Sequence, residues 1–281
     1  MGNGKLYLIA TPIGNLEDIT LRALNILKMV DVIAAEDTRQ SLKLLNHFGI
    51  SKKLISYHRH NEDVKTEELI KLLKDGKNIG LISDAGTPGI SDPGEIITKE
   101  AIKEGIEIIP IPGACAAINA IIASGLSTKE FSFYGFLPQN KKLRTEKFND
   151  ILNQNKTIII YEAPHRLLET LEEIQEKCGN VSAVVAKEIS KIHEKFYRGK
   201  IEEIILELKK ETIIKGEYII LFEIVSENSD DKIKQLLNQM TEEEQYKYYE
   251  KQGLEKKEII KKIAKNKNVN KDVIYKLFLN K

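Results

Sequence analysis

Residues 81–94, LISDAGTPGISDPG, concentrate more chemistry than any other segment of the chain. A P-loop requires a Gly-Lys-Ser/Thr end, and this loop has no lysine. The dinucleotide pattern G-x-G-x-x-G is also absent. Pro88 and Pro93 remove two backbone donors that a phosphate cradle would use, and Asp84 and Asp92 repel an anion. What remains is close backbone approach at glycines, fixed turns and carboxylates. That combination suits ribose hydroxyls, an amino group or a cation, and S-adenosylmethionine presents all three, including a sulfonium. The plainer alternative is a crossover loop whose aspartates cap turns.

Two more Pro/Gly segments sit at predicted strand ends, IATPIGNL (9–16) and IPIPGACAA (109–117). Three such segments together predict a shared crevice. Groups able to move a proton or hold a phosphate lie at the same strand ends: Glu36, Asp37, Glu162, His165 and Lys187-Glu188. Asp37 and Arg39 either form an organising ion pair or free the Arg39 fork for an RNA phosphate. His165, at a helix start, either caps or catalyses. His58 and His60 flank Arg59 in a polar loop, either an RNA-facing edge or a solvated one. Tyr7, Tyr57, Tyr134 and Tyr161 read as core. Cys115 reads as packing in a small-residue helix, and Cys178 as a helix end before Gly179. Spacing offers no metal cluster.

These residues need strands to place them. Lys5–Ala10, Asp31–Ala35, Leu54–Tyr57, Asn78–Ser83 and Glu107–Ile111 read as short apolar strands. The periodicity predicts helices over 21–30 (capped by Thr20, with Leu21, Leu24, Leu27 and Val30 inward), 66–74, 94–104 and 114–124. Repeated strand–helix–strand units imply a mostly parallel sheet. The second half reads as strands 131–136, 157–161, 182–187, 194–199 and 217–225, with helices 143–153, 166–177 and 201–209. Adjacent strands without a helix between them suggest a mixed sheet. Ser226–Asp231 looks like a linker. Beyond it, Ile259, Ile260 and Ile263 form one apolar stripe, and Val273, Ile274, Leu277 and Phe278 another, around an Asn-rich turn. That resembles a helix-turn-helix, either a packing module or a nucleic-acid contact. The expected organisation is an α/β domain over 1–118, a second over 119–227 and a small helical module over 228–281.

The 281 residues carry a net charge of +1, which does not announce a nucleic-acid binder. Residues 228–281 hold thirteen lysines against nine acids, so a mildly basic tail follows a near-neutral body. It is either a solvated face or an accessory RNA contact. Two cysteines, no long apolar run and no secretory pattern lead to the expectation of a cytoplasmic protein with no membrane contact.

TPIGNLEDIT, AEDTR, LISDAGTPGISDPG, PGACAAI, YGFLP, YEAPHR and KGEYIILFE follow in this order over residues 11–223. Singly each is weak; as an ordered set they resemble the tetrapyrrole methylase superfamily, in particular its branch that acts on small-subunit ribosomal RNA. The resemblance implies two α/β domains with S-adenosylmethionine in the cleft between them, and a homodimer. It implies methylation of the ribose 2′-oxygen of a cytidine in the decoding region of 16S ribosomal RNA, within the small ribosomal subunit. Carried onto this chain, the cofactor contacts are Pro12, Asp84, Ala85, Gly86, Ile90, Ala116, Ala117, Phe136, Leu137, Ala163, Pro164, Gly216 and Glu217. Asp37, Arg39 and His165 are the catalytic candidates. Arg59 departs from the acidic residue the family leads one to expect. A tetrapyrrole methyltransferase and a non-catalytic RNA-binding assembly factor are the competing readings.

Overall fold

The computed structural model describes residues 2–224, 237, 240–267 and 269–278. The chain forms two compact units, Met1–Ile224 and Val225–Lys281.

The first unit contains two five-stranded sheets. In the first sheet, β1 (Leu6–Ile9), β2 (Val32–Ala35), β3 (Lys53–Ser56), β4 (Ile79–Ile82) and β5 (Ile108–Ile111) run parallel in the order β3-β2-β4-β1-β5. The inner strands β1, β2 and β4 bury both faces, so the sequence there shows apolar runs rather than alternation. Leu6 packs with Leu69, Leu73 and Ile97 on one face. Tyr7 and Ile9 pack with Ala23, Leu27 and Leu45 on the other. The covering helices are α1 (Leu21–Met29), α2 (Thr38–His47), α3 (Glu62–Lys74) and α4 (Glu95–Lys103).

Three local readings change here. Thr20 does cap α1, accepting the Ala23 N–H at 3.0 Å, but Leu21 points outward at 80% exposure while Ala23 takes an inward place. The α2 helix was not anticipated. Its residues are mostly polar, so it buries only Ser41 and Leu45, and the Asp37 side chain caps its start. The α3 helix begins at Glu62, four residues early, because Glu62 and Asp63 favour the positive end of the helix dipole.

The second sheet has the order β6-β7-β10-β8-β9, from β6 (Phe131–Phe136), β7 (Thr157–Glu162), β8 (Ser182–Lys187), β9 (Lys195–Lys200) and β10 (Tyr218–Glu223). Only β6 and β7 are parallel to each other. One face buries α6 (Lys141–Leu152), α7 (Leu167–Cys178) and α8 (Ile201–Leu208). The other receives the small-residue face of α5 (Ala116–Ser124), with Ala117, Ala120 and Ile121 against Ile159, Val184 and Leu221. Alanines let that helix lie close to the sheet.

The second unit holds α9 (Glu242–Glu250), α10 (Lys256–Lys267) and α11 (Lys271–Leu277) around Tyr249, Ile259, Ile260, Ile263, Ile274 and Phe278. The apolar stripe of α11 divides: Ile274 and Phe278 are buried, whereas Val273 and Leu277 face outward. The expected linker Ser226–Asp231 lies outside the described residues. Among the described residues no helix is long and apolar enough to cross a membrane.

Candidate active site

A cavity of about 360 Å³ opens where the carboxyl ends of β1, β4 and β5 meet the second sheet. This is where open parallel sheets bind ligands, because the loops leaving the strand ends diverge there. Its size is within the range of about 300–1,000 Å³ usual for small-molecule sites.

The first sheet supplies loops that brace one another. Thr11 and Gly86 exchange backbone hydrogen bonds at 2.8 and 3.0 Å, and the Thr11 hydroxyl donates to the Ser83 carbonyl at 3.2 Å. Gly86 has a φ of +84°, and an added Cβ would stand 3.3 Å from Ile13 Cγ2. Glycine is required there for both reasons. The Thr87 hydroxyl donates to the Ala114 carbonyl at 3.0 Å, tying the long loop to the start of α5. The second sheet contributes Phe136, then Tyr161 to Pro164 after β7, Ile189 after β8, and Gly216 to Ile219 where β10 begins. Tyr161 holds the two halves in register: its hydroxyl accepts the Ala117 N–H at 3.1 Å, and Phe133 and Phe136 meet its ring edge-on. Burial pushes the Tyr161 phenol up to about 12, so it stays neutral. Gly216 leaves room for the Glu188 carboxylate, which accepts the Glu217 N–H at 2.8 Å; a Cβ there would stand 2.8 Å from it.

Nine of the residues expected at a cofactor line this cavity: Ala85, Gly86, Ile90, Ala116, Phe136, Ala163, Pro164, Gly216 and Glu217. Four do not. Pro12 is buried, and its neighbour Ile13 lines the cavity instead. Ala117 faces the second sheet, and Leu137 is in the core beneath it. Asp84 is exposed and turns to α2, accepting the Asp37 N–H at 2.9 Å.

The three catalytic candidates stand outside the lining. Asp37 binds Arg39 through two side-chain hydrogen bonds, at 2.8 and 3.1 Å, and also accepts the Arg39 N–H at 2.8 Å. Those bonds hold its carboxyl down to about 2. His165 is exposed in the 3₁₀ turn Pro164–Arg166. Of the other strand-end groups, Glu162 is 2% exposed and engaged by the Ala163 N–H at 2.8 Å and the Thr170 hydroxyl at 2.6 Å. Lys187 pairs with Glu211 at 3.0 Å.

Asp92, one of the loop carboxylates suited to a hydroxyl or a cation but not singled out as a site residue, lies in the cavity wall. Burial and then the Glu36 carboxylate push it up to about 6, although Ser83 and Arg59 pull the other way. Glu36 is raised as well, by burial and then by Asp84. Arg59 reaches over this acidic corner and donates to the Ser91 carbonyl. Ser91 also lines the cavity and carries a φ of +64°, a strained conformation for a residue with a Cβ. A signal for Asp92 did exist: Ser-Asp occurs twice in one loop, at 83–84 and 91–92. Cys115 and Tyr161, read as packing and core, also face the cavity.

The arrangement offers an apolar wall, backbone groups at a tight glycine turn, and carboxylates at one end. A family described as Tetrapyrrole (Corrin/Porphyrin) Methylases matches residues 5–205. The chain belongs to the tetrapyrrole methylase family. This methylase is 46% identical over 98% of its length to a protein of Halalkalibacterium halodurans named ribosomal RNA small subunit methyltransferase I, covering 94% of that relative. A protein of the same name from Hydrogenobaculum is 44% identical over 77% of this chain and 94% of its own. Among solved structures, a uroporphyrin-III C-methyltransferase of Thermus thermophilus complexed with S-adenosylhomocysteine superposes with a TM-score of 0.55 at 17% identity, covering 79% of this methylase and 99% of that chain.

Proposed function

We propose that the chain transfers the methyl group of S-adenosylmethionine to the ribose 2′-oxygen of a cytidine in the decoding region of 16S ribosomal RNA. The observation that carries the reading is a donor-sized cavity with a raised carboxylate, Asp92, in its wall. The close relatives named as small-subunit ribosomal RNA methyltransferases supply the substrate class.

The residues present fit the donor. Ile13, Ala116, Phe136 and Ile219 give an apolar wall for a nucleoside, and Ala85 gives exposed backbone beside the buried Gly86 turn. The Asp92 carboxylate favours a cation over an anion in the same space, whereas Glu217 is paired with Lys191. When bound, S-adenosylmethionine supplies a methyl group activated by its sulfonium. The chain's part is then to align the acceptor, exclude water and take a proton. A ribose hydroxyl is a poor nucleophile, and a carboxylate at about 6 is ionised at neutral pH yet more basic than an ordinary aspartate. Asp92 Oδ is the assigned proton acceptor. Arg39, at the exposed start of α2 and oriented by Asp37, is assigned to the RNA backbone, and neither residue to the proton. Function as a homodimer in the cytoplasm belongs to the same proposal.

The test is transfer of labelled methyl groups to 30S subunits and to 16S RNA lacking the modification, followed by mapping of the product nucleotide. A ribose-methylated cytidine is the expected product. Transfer to a tetrapyrrole and to neither RNA overturns the reading.

A further inference from the structure

The cavity leaves one feature unused: the outer face of the second unit. In α10, Ile259, Ile260, Ile263 and Ala264 turn inward. On the opposite side Lys257, Lys261 and Lys265 recur every fourth residue, all exposed, roughly 6 Å apart along the helix. Glu258 is the one acid of that helix. Among the described residues, none of these three lysines is in an ion pair or hydrogen bond, whereas lysines of the first unit such as Lys187 and Lys191 are paired. Lys271 and Lys276 of α11 are exposed and unpaired in the same sense, beside Tyr275 at 48% exposure. Asn266 fixes the arrangement from within, donating to Tyr249 Oη at 2.9 Å and to Gln245 Oε1 at 3.3 Å. A row of unpaired cations, with an exposed aromatic on the helix packed against theirs, matches a polyanion that also offers flat rings.

A second observation separates this face from the reaction. The Hydrogenobaculum relative has 94% of its own length matched by 77% of this chain. It has no room for a counterpart of the second unit in addition to the first. A protein named for the same activity thus does without the module, which points to binding rather than chemistry.

We propose that Lys257, Lys261 and Lys265, with Tyr275 and Lys276 of α11, form an accessory surface for RNA. The lysines contact phosphates, and the tyrosine ring is available to an unstacked base. The inference rests on the RNA-methylating reading for its choice of polyanion.

The test is filter binding of the full chain to a 16S RNA fragment across a series of KCl concentrations, with Lys257, Lys261 and Lys265 all changed to glutamine. These side chains are exposed, and a variant with the same three changed to arginine keeps the charge as a control. Losing three phosphate contacts should flatten the salt dependence by roughly 2 log units per log unit of salt and weaken binding by about tenfold or more. The arginine variant should match the unaltered chain. Unchanged affinity and slope in the glutamine variant overturn the proposal. So does a loss of binding confined to phosphatidylglycerol vesicles, which would assign the face to a lipid surface. Methyl transfer by the unaltered chain is scored separately. Its absence defeats the reading of the reaction, while filter binding still decides on the module.

Discussion

Replacing Asp92 with asparagine should make the protein more stable and less active at once. A carboxyl held at about 6 against an ordinary 3.8 is destabilised as an ion by about 3 kcal/mol if fully buried. Asp92 opens partly to solvent, which screens its charge, so about half of that is the expected gain. The sign follows from protonation. Between 3.8 and about 6 the folded state binds the extra proton, so folding loses stability as the pH rises through that window. The cost of the ion is therefore fully present above pH 6 and fades toward pH 4. Urea unfolding of Asp92→Asn should show a gain of about 1.5 kcal/mol at pH 7.5, shrinking to near zero at pH 4. Single-turnover methyl transfer at pH 7.5 should fall by at least about 100-fold, the usual weight of a general base. In the unaltered chain the rate should fall as the pH drops through about 6. Equal stabilisation at both pH values would refute the electrostatic argument, and full activity in the variant would refute the assignment of the proton.

Asp37→Asn should leave that acid limb in place, because Asp37 is held at about 2 and does not titrate there; a pH–rate profile checks this. Gly86→Val forces a β-branched side chain to a φ of +84° against Ile13, and calorimetry should show donor binding weakened by about tenfold, or 1.4 kcal/mol. Glu162→Ala removes a buried acceptor shared by Thr170 and the Ala163 N–H, with Arg166 3.6 Å away, and should cost about 3 kcal/mol in urea unfolding. Tyr161→Phe strands the Ala117 N–H and should cost about 1 kcal/mol by the same assay.

What could be read from the residues in order was the set of things fixed by near neighbours. Short apolar runs, three of them leading into Pro/Gly segments, are the strands of the first sheet, and the loop from Asp84 to Gly94 is the richest in chemistry because its glycines, prolines and carboxylates are contiguous. Thr20 announced its cap for the same reason. The α2 helix escaped because its stripe is mostly polar and its start depends on Asp37, which the pattern read as a catalytic group. Leu21 and Val273 look like core by type, but the direction of a helix face is set by what packs on it. The site shows the same division. Asp84 and Asp92 are alike in sequence, each after a serine in one loop. Only the folded backbone turns Asp84 toward the Asp37 N–H and Asp92 into the cavity, where burial and the distant Glu36 raise its proton affinity. Solvent exclusion and charges brought together from separate strands belong to the tertiary structure, and no local pattern encodes them.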